Sequence, residues 1–368
     1  MMMPNPEAAR PTVSVIVPAR NEEASLGACL QSLQGQAGVS FEITVVDDGS
    51  SDRTRAIAES FPGVRVVNAD PLPPGWSGKT NAMLTGARAS GGDWLLFTDA
   101  DTVHLPGSLA RAVTEAWQHA AALFSYSPAQ EVHGFWEKAV MPVIFAELAA
   151  TYRPPEVSNP ASPAAAANGQ YLLISREAYE GAGGHAAVAT SLLEDVALAR
   201  AVKASGRKIF FRFGGDAVRT RMYRSFAELR EGWTKNLVVL FPSPLRLAVL
   251  RLLEFALIVS SAAVTITAAA NGRSKPAIVA GGIAAILIAL FLKRIRRAHF
   301  SWDANALAVF GLPLFSYLLL RSRAFHNRGD VTWKGRKYST GRGASDVDET
   351  ESHAKCSQGS RRDAGAAA

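Results

Sequence analysis

The chain has little cysteine, little charge and no apolar run at its amino terminus, and each of these absences excludes a class of protein. Only two of its 368 residues are cysteine, Cys29 and Cys356, which excludes a small secreted scaffold held by several disulfides. Charged residues make up 19% of the chain and hydrophobic residues 48%, which excludes a mostly disordered protein. Residues 1–10 are polar and lack the apolar core of a signal peptide, so we expect a flexible start followed by a cytosolic domain.

What the chain has in excess is aliphatic side chains together with a mild positive charge. The formal net charge is +7 and the mean hydropathy is +0.07. A net charge of this size does not identify a partner. A positive mean hydropathy is unusual for a basic soluble enzyme, so either membrane segments contribute to it or the core is unusually aliphatic. Where the apolar residues lie along the chain decides between the two.

Residues 11–236 alternate between short apolar strands and helices. The first predicted strand, Val13–Val17, is β-branched and ends at Pro18, and leucines at helical spacing begin at Leu26. Continuous apolar strands that alternate with helices predict an α/β domain with a mostly parallel sheet covered on both faces. The other predicted strands are Glu42–Val46, Val64–Val67, Trp94–Thr98, Leu123–Ser127 and Tyr171–Ser175.

Residues 237–320 contain three long apolar runs. The run from Leu245 to Ala270 has charges only near its start, and the run from Pro276 to Leu292 has none. The third run, from Trp302 to Leu320, contains Pro313 and is a weaker candidate. Since a bilayer-spanning helix needs about 20 apolar residues, we predict a membrane region of two to four helices. The alternative is a soluble helical core, but three such runs close together rarely belong to a soluble fold.

Basic residues predict how this region is oriented. Residues 293–297 read KRIRR and lie between the second and third runs, so we expect them on the cytoplasmic side of the inner membrane, together with residues 11–236. The basic start of the tail, residues 321–368, also favours that side, but three full spans would place it outside. Either the third run is a re-entrant or interfacial hairpin around Pro313, or the apolar run near residues 237–250 counts as another membrane element. Beyond Gly341 we expect disorder.

Residues 135–148 form a further apolar segment with few charges. Such a segment is suited to lie at a membrane surface. It is equally suited to be a buried helix of a subdomain that binds an acceptor. The sequence leaves both interpretations open.

Acidic side chains follow three of the predicted strands, at the point where each strand ends. Glu22 follows the first strand, Asp47 and Asp48 close the second, and Asp99 and Asp101 follow the fourth. Ligands of an open parallel sheet bind at the carboxyl ends of its strands, so we expect these acids to share one crevice. A divalent cation on a diphosphate would relieve their repulsion. Any one of these acids could be a cap or turn former, but three successive strand ends favour a site.

Two other segments carry charge towards the same crevice. Residues 75–80 evoke a phosphate-binding loop, but Pro73 stands where that loop requires glycine, and no strand precedes it. We therefore reject that loop, while expecting Lys79 to open a helix and to aim its charge at the crevice. Glu194 and Asp195 begin another helix, where ordinary capping and a general base for an acceptor hydroxyl are both open.

In this order and spacing, the segments resemble a family 2 glycosyltransferase of the GT-A fold, which is similar to other nucleotide-diphospho-sugar transferases. The resemblance covers about residues 11–236. It implies an inverting transfer in which Asp195 is the catalytic base and Asp101, with Asp99, holds Mg²⁺ or Mn²⁺. It also implies a set of residues that bind the nucleotide sugar, namely Pro18, Ala19, Glu22, Asp47, Asp48, Lys79 and Asp99. The matching segments are Ser14–Glu22, Val45–Ser50, Lys79–Asn81, Phe97–Asp101 and Glu194–Asp195.

Finer segments resemble one membrane-anchored branch of this family. Pro74–Lys79, Arg221–Tyr223 and Gly232–Asn236 are similar to carotenoid (diaponeurosporenoate) and hopanoid-associated glycosyltransferases. Processive polysaccharide synthases of the family carry Gln-x-x-Arg-Trp. Here Leu229 and Gly232 stand at the glutamine and arginine positions, which favours a single transfer to a lipid.

The acceptor side is less well defined by the sequence. Trp233 is a candidate for stacking on the acceptor, and Glu194 and His185 are candidates for facing it, while ordinary packing is an alternative for each. We expect transfer from a nucleotide sugar, by preference a UDP-sugar, to a carotenoid, hopanoid or other polyisoprenoid or glycolipid. The alternative is a catalytically idle, nucleotide-binding scaffold of a lipid-biosynthesis complex. Nucleic acid is not expected as a partner, because the basic residues flank the apolar runs.

Overall fold

The first two thirds of the chain alternate strands and helices, and three long helices follow. A computed structural model describes residues 12–329, 331–333 and 336–338. The strands before the long helices are β1 (Val13–Ala19), β2 (Phe41–Asp47), β3 (Val64–Asn68), β4 (Trp94–Phe97), β5 (Thr102–His104), β6 (Leu123–Ser127), β7 (Ala129–Gln130), β8 (Leu172–Ser175), β9 (Ile209–Phe213) and β10 (Val218–Thr220). The helices of the same part are α1 (Leu26–Gln34), α2 (Thr54–Glu59), α3 (Gly78–Arg88), α4 (Ser108–Gln118), α5 (Phe135–Thr151), α6 (Pro154–Ser158), α7 (Arg176–Gly181), α8 (Gly184–Ala187), α9 (Glu194–Ala204) and α10 (Phe226–Leu240).

Seven strands form the main sheet, in the spatial order β3-β2-β1-β4-β8-β6-β9. β1 pairs in parallel with β2 and with β4, so that Val13 lies opposite Phe41 on one side and Trp94 on the other. β8 runs antiparallel to both of its neighbours. The predicted mostly parallel sheet is confirmed, with β8 as its one reversed strand.

Helices on both faces explain why β1 is apolar throughout. Val15 and Val17 belong to the core that includes α1, whereas Ile16 belongs to the core that includes α3. Gly86 of α3 lies so close to β1 that a Cβ at this position would overlap the Ile16 side chain. This close packing fixes the start of α3 beside the carboxyl ends of β1 and β4.

A small second sheet, in the order β5-β10-β7, supports the loop that follows β4. β10 is antiparallel to β5 and parallel to β7. Thr220 of β10 donates a hydrogen bond from Oγ1 to the carbonyl oxygen of Asp101, at 3.2 Å. The second sheet therefore supports the acidic loop after β4 through this hydrogen bond.

The three long helices are α11 (Pro244–Ala270), α12 (Ser274–Ile295) and α13 (Trp302–Arg328), with a 3-10 turn at Arg296–Ala298. All three are long and apolar enough to cross a membrane. α13 runs without a break through Pro313, so the expectation of a re-entrant hairpin at this proline is wrong. Two short antiparallel strands, β11 (Val331–Trp333) and β12 (Arg336–Tyr338), follow. The tail beyond Gly341 and residues 1–10, both predicted to be disordered, lie outside the described residues.

A third core joins the catalytic half to the long helices. Helices α5 and α10 lie in this core, and α13 packs against both. In the segment 135–148, only the beginning is strongly exposed, at Phe135 and Trp136. Beyond its first turn the segment is therefore a buried helix, not a surface segment. The residues of this core include Val140 and Ile144 of α5, Trp233 and Leu237 of α10, and Leu312 and Phe315 of α13.

Candidate active site

The carboxyl ends of β1, β2 and β4 meet at one edge of the main sheet, where the predicted acids lie. β1 ends with Pro18 and Ala19, and Ala19 pairs with the buried Asp47 at the end of β2. The Oδ1 atom of Asp47 accepts a hydrogen bond from the backbone N–H of Ser50 at 3.1 Å. Its Oδ2 atom lies 3.9 Å from the guanidinium of Arg55. One carboxylate is thus fixed at the bottom of the crevice.

The loop after β1 brings Glu22 to this edge and joins it to the loop after β2, which contains Asp48. The backbone N–H of Glu22 donates to Thr54 Oγ1 at 2.7 Å, which ties the loop to the start of α2. The Glu22 carboxylate accepts a hydrogen bond from Ser25 Oγ at 3.0 Å. Arg20 donates from Nη1 to the carbonyl oxygen of Asp48 at 2.7 Å. The first and second strand ends are therefore joined by direct hydrogen bonds, as their adjacency in the sheet predicts.

The loop after β4 provides a pair of acids that fits a divalent cation. The Oδ1 atom of Asp101 is buried, and no described residue forms a hydrogen bond with it. Burial, followed by the charges of Asp99 and Glu22, raises the pKa of Asp101 to about 7. A buried carboxylate oxygen without a donor, next to other carboxylates, is an arrangement that a hard cation satisfies. Among the described residues no group of three or more histidine, cysteine or acidic side chains could hold a metal alone, so oxygens of a bound diphosphate would complete the coordination.

Lys79 lies between an acid of the loop after β4 and an acid at the start of α9. Ser77 caps α3 by accepting a hydrogen bond from the N–H of Thr80 at 3.0 Å, which confirms that Lys79 opens a helix. The ammonium of Lys79 lies 2.7 Å from Asp99 Oδ1 and 3.4 Å from Glu194 Oε1. Burial works to lower the pKa of Lys79, but Asp99 and Glu194 outweigh this effect and raise it above its usual value. The side chain therefore stays charged and bridges the loop after β4 to the start of α9.

Asp195 is fixed in the first turn of α9 with both carboxylate oxygens oriented. Its Oδ2 atom accepts a hydrogen bond from the N–H of Gly169, and its Oδ1 atom accepts one from the N–H of Val196, each at 2.8 Å. Burial and the neighbouring Glu194 raise the pKa of Asp195 to about 6, against the opposing effects of Lys79 and the two N–H donors. A carboxylate that accepts a proton near neutral pH is suited to act as a general base.

The adjacent acid, Glu194, has the opposite electrostatic character. Burial works to raise the pKa of Glu194, but Lys79 and then Lys235 outweigh it and lower the pKa. The pKa values of the two neighbouring carboxyl groups are thus shifted in opposite directions. Glu194 stays charged, whereas Asp195 can exchange a proton. Such separation distinguishes a charge-balancing acid from an acid–base residue.

Two of the predicted acceptor-side residues lie inside cores. Trp233 is buried, with its ring Nε1 atom 3.3 Å from Met141 Sδ. His185 is buried too, with Nδ1 3.0 Å from the hydroxyl of Tyr179 and its ring edge-on to Phe97. His185 nevertheless lies within electrostatic range of Glu194 and Lys79. The predicted roles of both rings towards an acceptor stay predictions.

The structure also places two residues in the site that the sequence did not single out. Gly169 donates to Asp195, and a Cβ at Gly169 would lie 3.1 Å from the Lys79 ammonium, so a larger residue would crowd both charged groups. Lys235 of α10 lies within electrostatic range of Glu194. Gly169 belongs to no motif with a fixed pattern. For Lys235, its place in the segment Gly232–Asn236, two residues after Trp233, was the available signal.

These features define a class of protein. The family model described as Glycosyl transferase family 2 matches residues 14–180, and this part of the chain is a glycosyltransferase domain of that family. The matched segment contains β1 to β4 and all of the acids at their carboxyl ends. The resemblance inferred from the motifs is therefore confirmed over this matched domain.

Similar proteins extend the likeness beyond the matched segment. The chain is 28% identical to 4,4'-diaponeurosporenoate glycosyltransferase of Staphylococcus aureus (strain MRSA252) over 341 residues, which cover 89% of this chain and 88% of that protein. Among solved structures, the mannosyltransferase PcManGT from Pyrobaculum calidifontis, in complex with GDP-Man and Mn²⁺, is similar with a TM-score of 0.51. It is 19% identical, and the match covers 86% of this chain and 87% of that one. The second likeness establishes the GT-A fold.

Proposed function

We propose that the protein transfers a sugar from a nucleotide sugar, by preference a UDP-sugar, to a membrane lipid, with inversion at the anomeric carbon. The observation that carries the proposal is the meeting of Asp99, Asp101, Lys79 and Asp195 in one crevice at the carboxyl edge of the sheet. The name of the Staphylococcus aureus relative supports a carotenoid-type acceptor, and the GDP-Man complex of the mannosyltransferase supports a nucleotide-sugar donor.

In this proposal the donor occupies the edge formed by β1 and β2. Asp47 and Glu22 accept hydrogen bonds from the nucleoside, while Pro18, Ala19 and Asp48 line its binding surface. The fixed position of Asp47 between Ser50 and Arg55 supports this role, since a held carboxylate loses little freedom on binding.

The diphosphate lies over the loop after β4. Asp101 and Asp99 would hold Mg²⁺ or Mn²⁺, which supplies positive charge that stabilises the departing diphosphate when it is bound. Lys79 adds a fixed cation on the other side of Asp99, at 2.7 Å. These positive charges reduce the repulsion between the two acids and a polyanionic ligand.

Asp195 removes the proton from the acceptor hydroxyl. As that oxygen forms its bond to the anomeric carbon, the bond from the carbon to the diphosphate oxygen breaks, and the nucleoside diphosphate leaves. The proton moves to a carboxylate oxygen of Asp195, which Gly169 and Val196 hold in place. Glu194 remains ionised beside Lys79 and stabilises the charge balance of the site.

The long helices support a location in the membrane. We propose a multi-pass protein of the inner membrane with its catalytic domain, residues 11–236, on the cytoplasmic side. The basic residues 293–297 lie at the end of α12 that is nearest to α5, since Arg294 contacts Glu147 of α5. Positive charges beside the catalytic domain are expected on the cytoplasmic side.

A panel of donors and acceptors tests this function. Full-length protein in lipid nanodiscs is incubated with Mn²⁺, with UDP- or GDP-linked sugars, and with polyisoprenoids that end in a hydroxyl or a carboxyl group. We expect release of a nucleoside diphosphate together with a lipid whose mass has increased by one sugar. Asp195→Asn should lower turnover on a hydroxyl acceptor by about 10²- to 10⁴-fold. It should matter less for a carboxyl acceptor, which is already ionised.

Two results would count against the proposal. Tight binding of a nucleoside diphosphate without turnover on any acceptor would support the idle scaffold instead. Full turnover of Asp195→Asn on hydroxyl acceptors would show that Asp195 is not the general base. Asp70→Asn is the matched control, because Asp70 is a half-exposed acid that pairs with the exposed Arg88 on the surface.

A further inference from the structure

The third long helix differs from the other two in what it contacts. Along its whole length, α13 is tied to α5, to α10 and to the first turns of α11. The partners in α5 and α10 belong to the catalytic side of the molecule, and the partner in α11, Ala248, lies in the second turn of that helix. In order along α13, the pairs are Asp303 with Lys138 (2.7 Å), Gly311 with the backbone of Ala139, Ser316 with Ala248 (2.9 Å), Arg321 with Thr234 (3.1 Å), Ser322 with Val238 (3.0 Å), and His326 with Lys235 (2.8 Å).

These contacts run along nearly the whole of α13, so the helix does not touch the catalytic domain at one end only. From Asp303 to His326 a helix rises about 35 Å, at about 1.5 Å per residue. A spanning helix that left the domain over this distance would have its middle against lipid or against other spans. Here the middle of α13 contacts the start of α11 through Ser316, but it also meets the backbone of α5, because Gly311 lies so close to Ala139 that a Cβ would overlap its carbonyl group.

Helices α11 and α12 have the opposite environment. Residues 255–272 and 276–292 carry no charge, and most of their large side chains are exposed, including Ile266 at 68% and Ile278 at 73%. Each uncharged run is long enough for most of the hydrocarbon layer. The two helices pack on each other as a hairpin whose turn, residues 271–273, is exposed.

Four charged side chains, of which Glu147 is buried and the other three are partly buried, mark the base of this hairpin. Arg251 and Glu254 of α11, Arg294 of α12 and Glu147 of α5 form a ring of ion pairs, here called the charge ring. The distances are 3.0 Å from Arg251 to Glu147, 2.7 Å from Arg251 to Glu254, 2.8 Å from Arg294 to Glu254, and 3.4 Å from Arg294 to Glu147. Charges in such a ring lie at the edge of the apolar layer, because their cost within it is several kcal/mol.

We propose that the chain crosses the bilayer twice, by α11 and α12, and that α13 lies along the membrane surface, docked on the catalytic domain. The exposed face of α13 is a narrow apolar stripe suited to contact the outer part of the lipid layer. Two crossings return the chain to the cytoplasmic side, so the basic residues after Leu320 and those at 293–297 lie on the same side, as the distribution of positive charge requires. The stripe consists of Trp302, Ala306, Phe310, Tyr317 and Leu320.

The native cysteines provide the test. Cys356 lies in the tail, outside the described residues, and Cys29 is fully buried. In a Cys29→Ala background, Cys356 reports the side of the tail. With Cys356→Ala added, Ser60→Cys reports the catalytic domain and Ser274→Cys reports the hairpin turn, since both serines are exposed. Each active variant is treated with a membrane-impermeant maleimide in spheroplasts and in inverted vesicles, and labelling in detergent gives the total.

We expect Cys356 and Ser60→Cys to be labelled in inverted vesicles and Ser274→Cys in spheroplasts, each with at least a tenfold preference. Labelling of Cys356 together with Ser274→Cys would establish three crossings and overturn the proposal. Labelling of all three on one side would show that the hairpin does not cross. If Cys29→Ala loses activity, the native chain replaces it, because the maleimide does not reach the buried Cys29 until detergent and heat unfold the protein.

Discussion

The catalytic domain and the α11–α12 hairpin use the same kinds of side chain in opposite places. In the catalytic domain the apolar residues form two closed cores around β1, and acids and lysines gather at the open edge of the sheet. In the hairpin most large apolar residues face outward, and Arg251, Glu254 and Arg294 lie partly buried in the charge ring. This opposite arrangement of apolar side chains indicates that the catalytic domain is built for water and the hairpin for lipid. The boundary between the two regions runs through the charge ring.

α13 belongs to neither pattern alone. Its composition resembles that of a spanning helix, yet its contacts resemble those of a core helix. It also reaches the site, because Arg321 and His326 contact Thr234 and the backbone of Lys235 in α10. The membrane region and the active site are therefore connected through a single helix, α10, and changes can be designed that affect one region and spare the other.

The largest expected effect is confined to the catalytic side. Replacement of Lys79 by methionine leaves Asp99 and Glu194 without their shared cation. We expect kcat/KM for the donor to fall by about 10²-fold, because a fixed charge aimed at the reacting phosphate is lost. Lys79→Arg should restore part of the loss. The control is Lys208→Met, since Lys208 is exposed, and it should leave kcat/KM unchanged; equal losses in both lysine variants would show that the effect is not specific to the site.

A change of pH should affect turnover in the catalytic domain and leave the membrane hairpin unaffected. Asp195 must be ionised to accept a proton. Because its pKa is raised to about 6, activity should be lost at a higher pH than for a carboxyl group with its usual pKa. On a hydroxyl acceptor we expect kcat/KM to be half maximal near this pKa and to fall about tenfold for each further pH unit below it. The fraction of protein in the membrane should stay constant across the same pH range. A flat rate profile through this pKa would contradict the assignment of Asp195.

An intermediate effect is expected at the contact between α13 and α5. Gly311→Ala places a methyl group against the backbone of Ala139, which should lower the free energy of unfolding by about 1–3 kcal/mol through overpacking. Thermal unfolding in nanodiscs measures the change. Gly282→Ala in α12 is the matched control, because a Cβ there meets nothing within 4 Å. If both variants melt alike, α13 is not docked as described.

The smallest expected effect lies on the exposed aromatic surface at the start of α5. The ring of Trp136 packs on two other rings, with its centroid 5.1 Å from that of Phe135 and 5.2 Å from that of Phe226. Trp136→Ala should raise KM for a vesicle-bound acceptor about two- to fivefold, as expected for a weakened contact with the membrane surface, and leave KM for the donor unchanged. Trp117, another exposed tryptophan, lies on α4, and Trp117→Ala should change neither constant. A rise in the donor KM would assign Trp136 to the site instead.

The strands and the acids at their ends could be predicted because they depend on local patterns. An apolar β-branched run such as Val13–Val17 predicts a buried strand, and the adjacency of parallel strands then brings Glu22, Asp47 and Asp99 to one edge. The start of α3 before Lys79 was predictable for the same reason, since Ser77 is a common capping residue.

The rest depends on contacts between distant parts of the chain. An apolar run does not reveal whether lipid or protein covers it, so α13 was a weak span candidate in the sequence. Only the approach of Gly311 to Ala139 shows that it is docked. The partnership of Glu147 with Arg251 joins residues about one hundred positions apart and follows from no local pattern. Burial of Trp233 and His185 likewise depends on which helices meet, and a motif cannot indicate this.

The charge ring has a consequence for how the chain is made. Glu147 leaves the ribosome well before Arg251, and Arg294 follows later still. Arg251 has Glu254 as a partner within α11, whereas Glu147 gains its ion-pair partners only when α11 and α12 dock on α5. Since breaking a buried ion pair by removal of one partner costs about 3–5 kcal/mol, docking of the hairpin and stability of α5 are expected to depend on each other.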